Sequence, residues 1–185
     1  MTRELTVSID AMGGDAGPGI VVTALVRALE RHTHIQFLLH GDEAVLTPLV
    51  RAHPRLTGRV IIRHAPGRVT MEDKPSQIVR RGQNTSMWRA IECVKKGEAD
   101  VVVSAGNTGA LMAMSLLQFR TIEGIARPAI ASIWPTMRGR TVVLDVGANV
   151  SASAEQLVDF AVMGEAYAQV VFNQERPIVG LLNVG

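Results

Sequence analysis

Short runs of β-branched and aliphatic residues alternate along this chain with stretches whose apolar positions recur every three to four residues. The first pattern predicts strands over residues 5–10, 35–40, 60–64, 101–104, 129–134, 142–145 and 178–183. The second predicts helices over residues 19–31, 43–52, 75–81, 86–96, 109–121 and 154–172. The strand runs are nearly continuously apolar, so both of their faces are expected to be covered, as happens in a parallel sheet lying between layers of helices. The expected fold is therefore a three-layer α/β/α, Rossmann-like domain with a mostly parallel sheet, a single domain over residues 1–185.

Punctuation between the elements supports this order. Thr85 or Ser86 can cap the helix that follows, Gly97 after Lys95 and Lys96 supplies a left-handed stop, and Ser153 stands three residues before Gln156 in capping-box spacing. Residues 65–74 form the longest aperiodic connection and are expected as a surface loop on the ligand side. Residues 126–140, with Pro128, Pro135 and Gly139, are expected to make an antiparallel excursion. The last predicted strand runs to Gly185, where a turn and helix would normally follow, so the chain is expected to be the N-terminal portion of a longer architecture.

Composition narrows the classes. Nineteen Lys and Arg against 17 Asp and Glu leave a formal charge of +2, too little for a dedicated nucleic-acid binder. A hydrophobic fraction of 47% with 19% charged residues excludes disorder as the main state, and 4% aromatics argues against a base-stacking platform. Cys93 is the single cysteine, so no internal disulfide is possible. The opening residues turn polar too soon for a signal-peptide core, and no apolar run approaches the ~18 residues of a membrane span. A reduced, cytoplasmic setting is expected.

Three turns share one design: Asp10-Ala11-Met12-Gly13-Gly14-Asp15, Ser104-Ala105-Gly106-Asn107-Thr108-Gly109 and Asp145-Val146-Gly147-Ala148-Asn149. Each follows a predicted strand and opens a helix, and in a parallel sheet all three are expected at one edge, in the crevice where open α/β sheets bind ligands. Glycine lets a ligand approach the backbone, and helix amino termini present unpaired amides to an anion, which makes phosphate the natural ligand. Neither the P-loop nor the dinucleotide glycine spacing occurs, which lowers nucleotide and nicotinamide readings. Asp10, Asp15 and Asp145 have the chemistry for a metal or for acid–base work, but turn-ordering is the commoner use of a strand-end Asp, and no metal is expected. Among the histidines only His40 and His64 stand at strand ends; Ser104 lacks a hydrolase elbow; Cys93 reads as a packed thiol; and Arg80 with Arg81 forms a basic spot.

Six stretches carry a resemblance: DAMGGDAGP (10–18), MEDKP, RR and TSM within 71–87, GEADVVVSAGNTGALMA (97–113), GIARPAIA (124–131), LDVGANV (144–150) and PIVGLLNVG (177–185). In order and spacing they resemble the bacterial phosphate acyltransferase family. The resemblance implies a cofactor-free transfer of a long-chain acyl group from acyl carrier protein to inorganic phosphate, in fatty acid and phospholipid synthesis. It further implies a homodimer related in fold to phosphotransacetylases and isopropylmalate dehydrogenases, peripheral contact with the membrane in the full-length family, and delivery of acyl phosphate to a membrane glycerol-3-phosphate acyltransferase. It places Asp10, Gly13, Gly14 and Asp15 in one signature, Ser104, Gly106, Asn107, Thr108 and Gly109 in a second, Asp145, Gly147 and Asn149 in a third, and Asn183 and Gly185 in a fourth. Asn107 and Asn183 are the catalytic candidates and the others phosphate or substrate ligands, with Asp10 and Asp145 ordering their turns. The family continues beyond the last motif into a portion bearing a lysine and membrane-contacting helices, so a chain of this length would hold about half of it. The alternatives are a non-catalytic or partial phosphate-binding module and a phosphotransacetylase-like enzyme acting on acetyl-CoA; an isopropylmalate-type dehydrogenase is disfavoured by the missing nicotinamide fingerprint.

Overall fold

The computed structural model describes residues 4–149 and 151–182, with Val79 described by its backbone alone. These residues group into two compact units, one ending at Arg120 and the other starting at Thr121.

The first unit is built from βα repeats. In chain order it contains β1 (Leu5–Asp10), α1 (Pro18–Arg31), β2 (Ile35–Gly41), α2 (Glu43–Arg51), β3 (Val60–His64), α3 (Pro75–Arg81), α4 (Ser86–Lys95), β4 (Val101–Ser104) and α5 (Thr108–Phe119). Short 3-10 turns, Pro54–Leu56 and Gly82–Asn84, precede β3 and α4 respectively. All four strands are parallel, in the order β3-β2-β1-β4. The chain thus winds outward from β1 to β3 and then returns to the far side of β1, which makes the β1/β4 boundary the topological switch point of the sheet.

Strand side chains alternate between faces, and this parity divides the core. Val7, Ile9 and Ala11 of the β1 segment join Phe37 and Leu39 of β2 against Val22 and Leu25 of α1 and Leu46 of α2. The opposite parity of β1 holds Ser8 and Asp10, both buried; the Ser8 hydroxyl donates to the Ala90 carbonyl of α4 at 2.8 Å. Leu38 packs with Cys93 on that face. A third cluster, Val69, Ile78, Met87, Ile91, Ala110 and Met114, packs α3, α4 and α5 together. Helices therefore cover β1 and β2 on both sides, as their continuous apolar runs require, whereas the expected coverage is incomplete at the flanking strands, where Ile61 of β3 and Val101 and Val103 of β4 are exposed.

The second unit contains β5 (Ser132–Thr136), β6 (Gly139–Val143) and the 19-residue α6 (Ala154–Phe172). β5 and β6 pair antiparallel, confirming the excursion expected near residues 126–140. The strand expected over 142–145 is corrected: its first residues are the end of the return arm of this hairpin. The two-residue turn Met137-Arg138 and Gly139, with φ of 135°, reverse the chain before it can cross over. The strand expected from residue 178 is also corrected for its described part, since residues 178–182 form no strand. Apolarity alone cannot pair a segment; it needs a neighbouring edge with free backbone groups. Arg140 lies over the Phe172 ring at 5.1 Å, and Phe160 and Ala168 are the buried residues of α6. No helix among the described residues is long and apolar enough to cross a membrane.

Candidate functional site

Two of the three glycine turns meet at the switch point. Asp10 and Ser104 are register partners at the carboxyl ends of β1 and β4, so the turns that follow them start side by side. They approach backbone to backbone: a Cβ on Gly13 would stand 2.5 Å from Asp10 Oδ2 and 3.0 Å from the Gly106 nitrogen. Gly14 adopts a φ of 85°, which side chains rarely tolerate. Both glycines are therefore required by geometry.

Asp10, almost fully buried, is the centre of this meeting. Its Oδ1 accepts from the Ser86 hydroxyl at 2.5 Å and from the Met12 amide at 3.3 Å; its Oδ2 accepts from the Ser104 hydroxyl at 2.7 Å. Ser104 Oγ in turn accepts from the Gly106 amide at 3.0 Å. The expectation that Asp10 orders its turn is consistent with these bonds, which extend to the second turn and to α4 as well. Asp15 is exposed, beyond the shared part of the first turn.

Asn107 is the N-cap of α5. Its Oδ1 accepts from the Ala110 amide at 3.0 Å, while Nδ2 donates toward three carbonyls, Thr70 at 3.3 Å, Met71 at 3.2 Å and Asp73 at 3.1 Å. A side-chain amide has only two hydrogens, so this group is fully committed to capping α5 and holding the 65–74 loop. The expectation that its side chain faces a ligand is therefore set aside for this conformation. Among the described residues the Thr108 and Gly109 amides, in the first turn of α5, have no acceptor, and Thr108 is exposed. Gly109 lets α5 approach α3, since a Cβ there would stand 2.9 Å from Pro75 Cγ.

The third turn belongs to the second unit and follows an antiparallel strand, so it is not one of the strand ends of the parallel sheet. Asp145 organises it: Oδ1 accepts from the Ile130 and Ala148 amides at 2.9 and 3.0 Å, and Oδ2 from the Asn149 amide at 2.7 Å and its Nδ2 at 2.9 Å. Burial opposes its charge, but the Ile130, Ala148 and Asn149 hydrogen bonds outweigh burial and hold the carboxyl below the usual aspartate range. Asn149 Nδ2 also reaches the Pro128 carbonyl at 3.1 Å, and Gly147 sits at φ 119°. Asn183 and Gly185 lie outside the described residues.

His40 and His64 part company. His64 Nδ1 accepts from the Glu43 amide at 3.3 Å, at the start of α2. His40 is buried beside Ser8, 3.0 Å from its hydroxyl. That hydroxyl spends its hydrogen on Ala90, so Nε2 of His40 carries the proton and donates, leaving Nδ1 as a buried acceptor without a partner among the described residues. Burial, with Arg63 and Arg89 adding positive potential, pushes the His40 pKa down to about 4. Burial also raises the Cys93 thiol, with Glu98 adding to the effect, which suits a packed thiol. Sequence reading passed over Ser8 and undervalued Ser86; the parity of Ser8 with Asp10 in β1 was the available signal.

A cavity of about 530 Å³ lined by Leu29, Glu30, Thr33, Arg55 and Arg59 lies near the opposite, amino-terminal end of β2 and β3. Its arginines are already paired, Arg55 with Glu30 at 2.8 Å and Arg59 with Glu4 at 3.0 Å. The chemistry of the glycine turns is elsewhere.

The family described as fatty acid synthesis protein matches residues 5–185. A phosphate acyltransferase of Sinorhizobium medicae is 56% identical over 180 residues, covering 97% of this chain and 52% of the relative. The chain belongs to this phosphate acyltransferase family. A second relative of the same name, from Xanthobacter autotrophicus, is 55% identical over 186 residues, covering 100% of the chain and 52% of its own length. The chain spans about half the length of the curated relatives it matches. A crystal structure of a phosphotransacetylase from Streptococcus pyogenes superposes with a TM-score of 0.68 at 19% identity, over 95% of this chain and 56% of that one. At that identity the likeness speaks for the α/β fold alone.

Proposed function

We propose that this chain carries the phosphate-holding turns of an acyltransferase that moves a long-chain acyl group from acyl carrier protein to inorganic phosphate. The observation that carries the reading is membership of the phosphate acyltransferase family along essentially the whole chain. The fusion of the Asp10 and Ser104 turns at the switch point supports it. A phosphate oxygen attacks the thioester carbonyl carbon, the carbon–sulfur bond breaks, and the carrier thiolate leaves and takes a proton. Such a reaction needs phosphate held within reach of the carbonyl and donors for the tetrahedral oxyanion. The Thr108 and Gly109 amides supply donors, Asn107 and the Ser104-bound Gly106 amide position them, and Gly13 and Gly14 let the two turns meet backbone to backbone. Within the second unit, Asp145, Gly147 and Asn149 form an ordered turn that is by itself a substrate-binding candidate, and Asn183 and Gly185 are further candidates by sequence.

The same reading includes a homodimer in the cytoplasm, peripheral at the membrane, that passes acyl phosphate to a glycerol-3-phosphate acyltransferase. The test is phosphate-dependent release of carrier thiol from a long-chain acyl carrier protein, with phosphate omitted as control and acetyl-CoA as competing donor. Phosphate-dependent release from the carrier supports the reading. Preference for acetyl-CoA moves it to a phosphotransacetylase activity, and phosphate binding without release marks this chain as a binding module.

A further inference from the structure

Ser86 is fully buried at the first position of α4 and takes no part in the signatures that define the two turns. Its amide donates to the Gly67 carbonyl at 2.9 Å, which fixes its backbone, and its hydroxyl donates to Asp10 Oδ1 at 2.5 Å. Ser104 has a single hydroxyl hydrogen, and it goes to Asp10 Oδ2 at 2.7 Å. That direction leaves the Ser104 oxygen as the acceptor for the Gly106 amide at 3.0 Å. The chain of bonds has one sense: Ser86 and Ser104 both donate into the carboxylate, and Gly106 donates into Ser104.

Two hydroxyls from two different elements thus set the plane of one buried carboxylate. Without Ser86, Oδ1 keeps only the 3.3 Å Met12 amide, so the carboxylate is free to rotate and Ser104 loses its fixed acceptor. We propose that Ser86 is a positioning residue: through Asp10 and Ser104 it holds the Gly106 amide, and with it the Gly106–Gly109 backbone. The geometry stands by itself; the identification of phosphate as the ligand rests on the function proposed above.

Thr85, the residue before it and the N-cap of α4, provides the control. It caps α4 by accepting from the Trp88 amide at 3.3 Å and donates to the Gly82 carbonyl at 2.6 Å, with no bond to Asp10. The experiment is NMR on the isotopically labelled 185-residue chain, following amide exchange and titration with inorganic phosphate in Ser86→Ala, Ser86→Cys and Thr85→Ala. Ser86→Ala is expected to speed Gly106 exchange roughly tenfold and to weaken phosphate binding several-fold, with the Val22 and Leu25 amides of α1 unchanged. Ser86→Cys, which keeps the volume but donates weakly, should fall between and guards against a folding failure of the alanine variant. Thr85→Ala should loosen α4 and leave Gly106 alone. An unchanged Gly106 in Ser86→Ala and Ser86→Cys, or a rise shared equally by α1, overturns the proposal. If phosphate shifts none of the Gly106–Gly109 amides in the unaltered chain, the phosphate reading fails, and Gly106 exchange still decides the role of Ser86.

Discussion

A carboxylate taken out of water must find donors, and Asp10 finds them in Ser86, Ser104 and Met12. Gly13 is small because that carboxylate is there. Gly13→Ala should push the new Cβ into Asp10 Oδ2 and destabilise the fold by about 1–3 kcal/mol, read from the urea midpoint. His40 shows the reverse case, a cationic form excluded by burial. Its folded pKa of about 4 lies below its value in the unfolded chain, which therefore takes up the proton first as pH falls. Stability is full above about pH 6.5 and is lost as pH drops toward 4, by about 3 kcal/mol in all. Arg63 and Arg89 deepen this sensitivity and Glu92 opposes it. Urea midpoints measured between pH 7 and 4.5 should fall more steeply for the unaltered chain than for His40→Gln, which retains a donor for Ser8; equal slopes would assign the acid loss to other groups. Asp145 works in the same direction at lower pH, since its depressed pKa gives stability that disappears when its carboxylate is protonated.

One helix start in this protein, that of α5, is secured by a side chain that also ties elements together. Ser153 and Gln156 form a reciprocal capping box on α6, and that box joins only neighbours. Asn107 caps α5 with its oxygen while its nitrogen gathers the carbonyls of residues 70, 71 and 73, so one side chain anchors a helix and a loop. The loop is pinned a second time by Asp73, whose Oδ2 accepts from the Thr70 amide at 2.8 Å. Asn107→Ala should cost about 2 kcal/mol through loss of the cap and of the carbonyl donors. Asn107→Asp keeps the cap but sets an anionic oxygen against three carbonyls, so its unfolding midpoint is expected below that of the alanine variant. The reverse order would mean that the cap dominates and the loop contributes little. Capping chemistry was legible in the spacing of Thr85, Ser86 and Ser153, because a cap is a local event. The loop's attachment to Asn107 was not, because its partners stand more than thirty residues away.

Across the molecule, burial is unequal. β1, β2 and α4 carry the clusters of fully buried side chains, whereas α6 buries only Phe160 and Ala168 along its length. Amide exchange should accordingly be slowest in β1 and β2 and faster in α6; uniform protection would show that the second unit is as firmly held as the first. The order of hydrophobic and polar residues determined β1 to β4, α1 to α5 and the glycine turns to within two residues, since period, caps and φ preferences act over a few neighbours. It also determined that α6 exists, from an uninterrupted apolar helical run beginning at a capping box. Tertiary structure decided the rest. The strand order β3-β2-β1-β4 brought Asp10 beside Ser104, and side-chain parity placed Ser8, Asp10 and His40 on the face that α4 covers. The hairpin of β5 and β6 took residues whose apolar runs predict strands of the parallel sheet. The physical reason is the same in each case: pairing, burial and hydrogen-bond saturation depend on groups far apart along the chain, and only folding brings them within bonding distance.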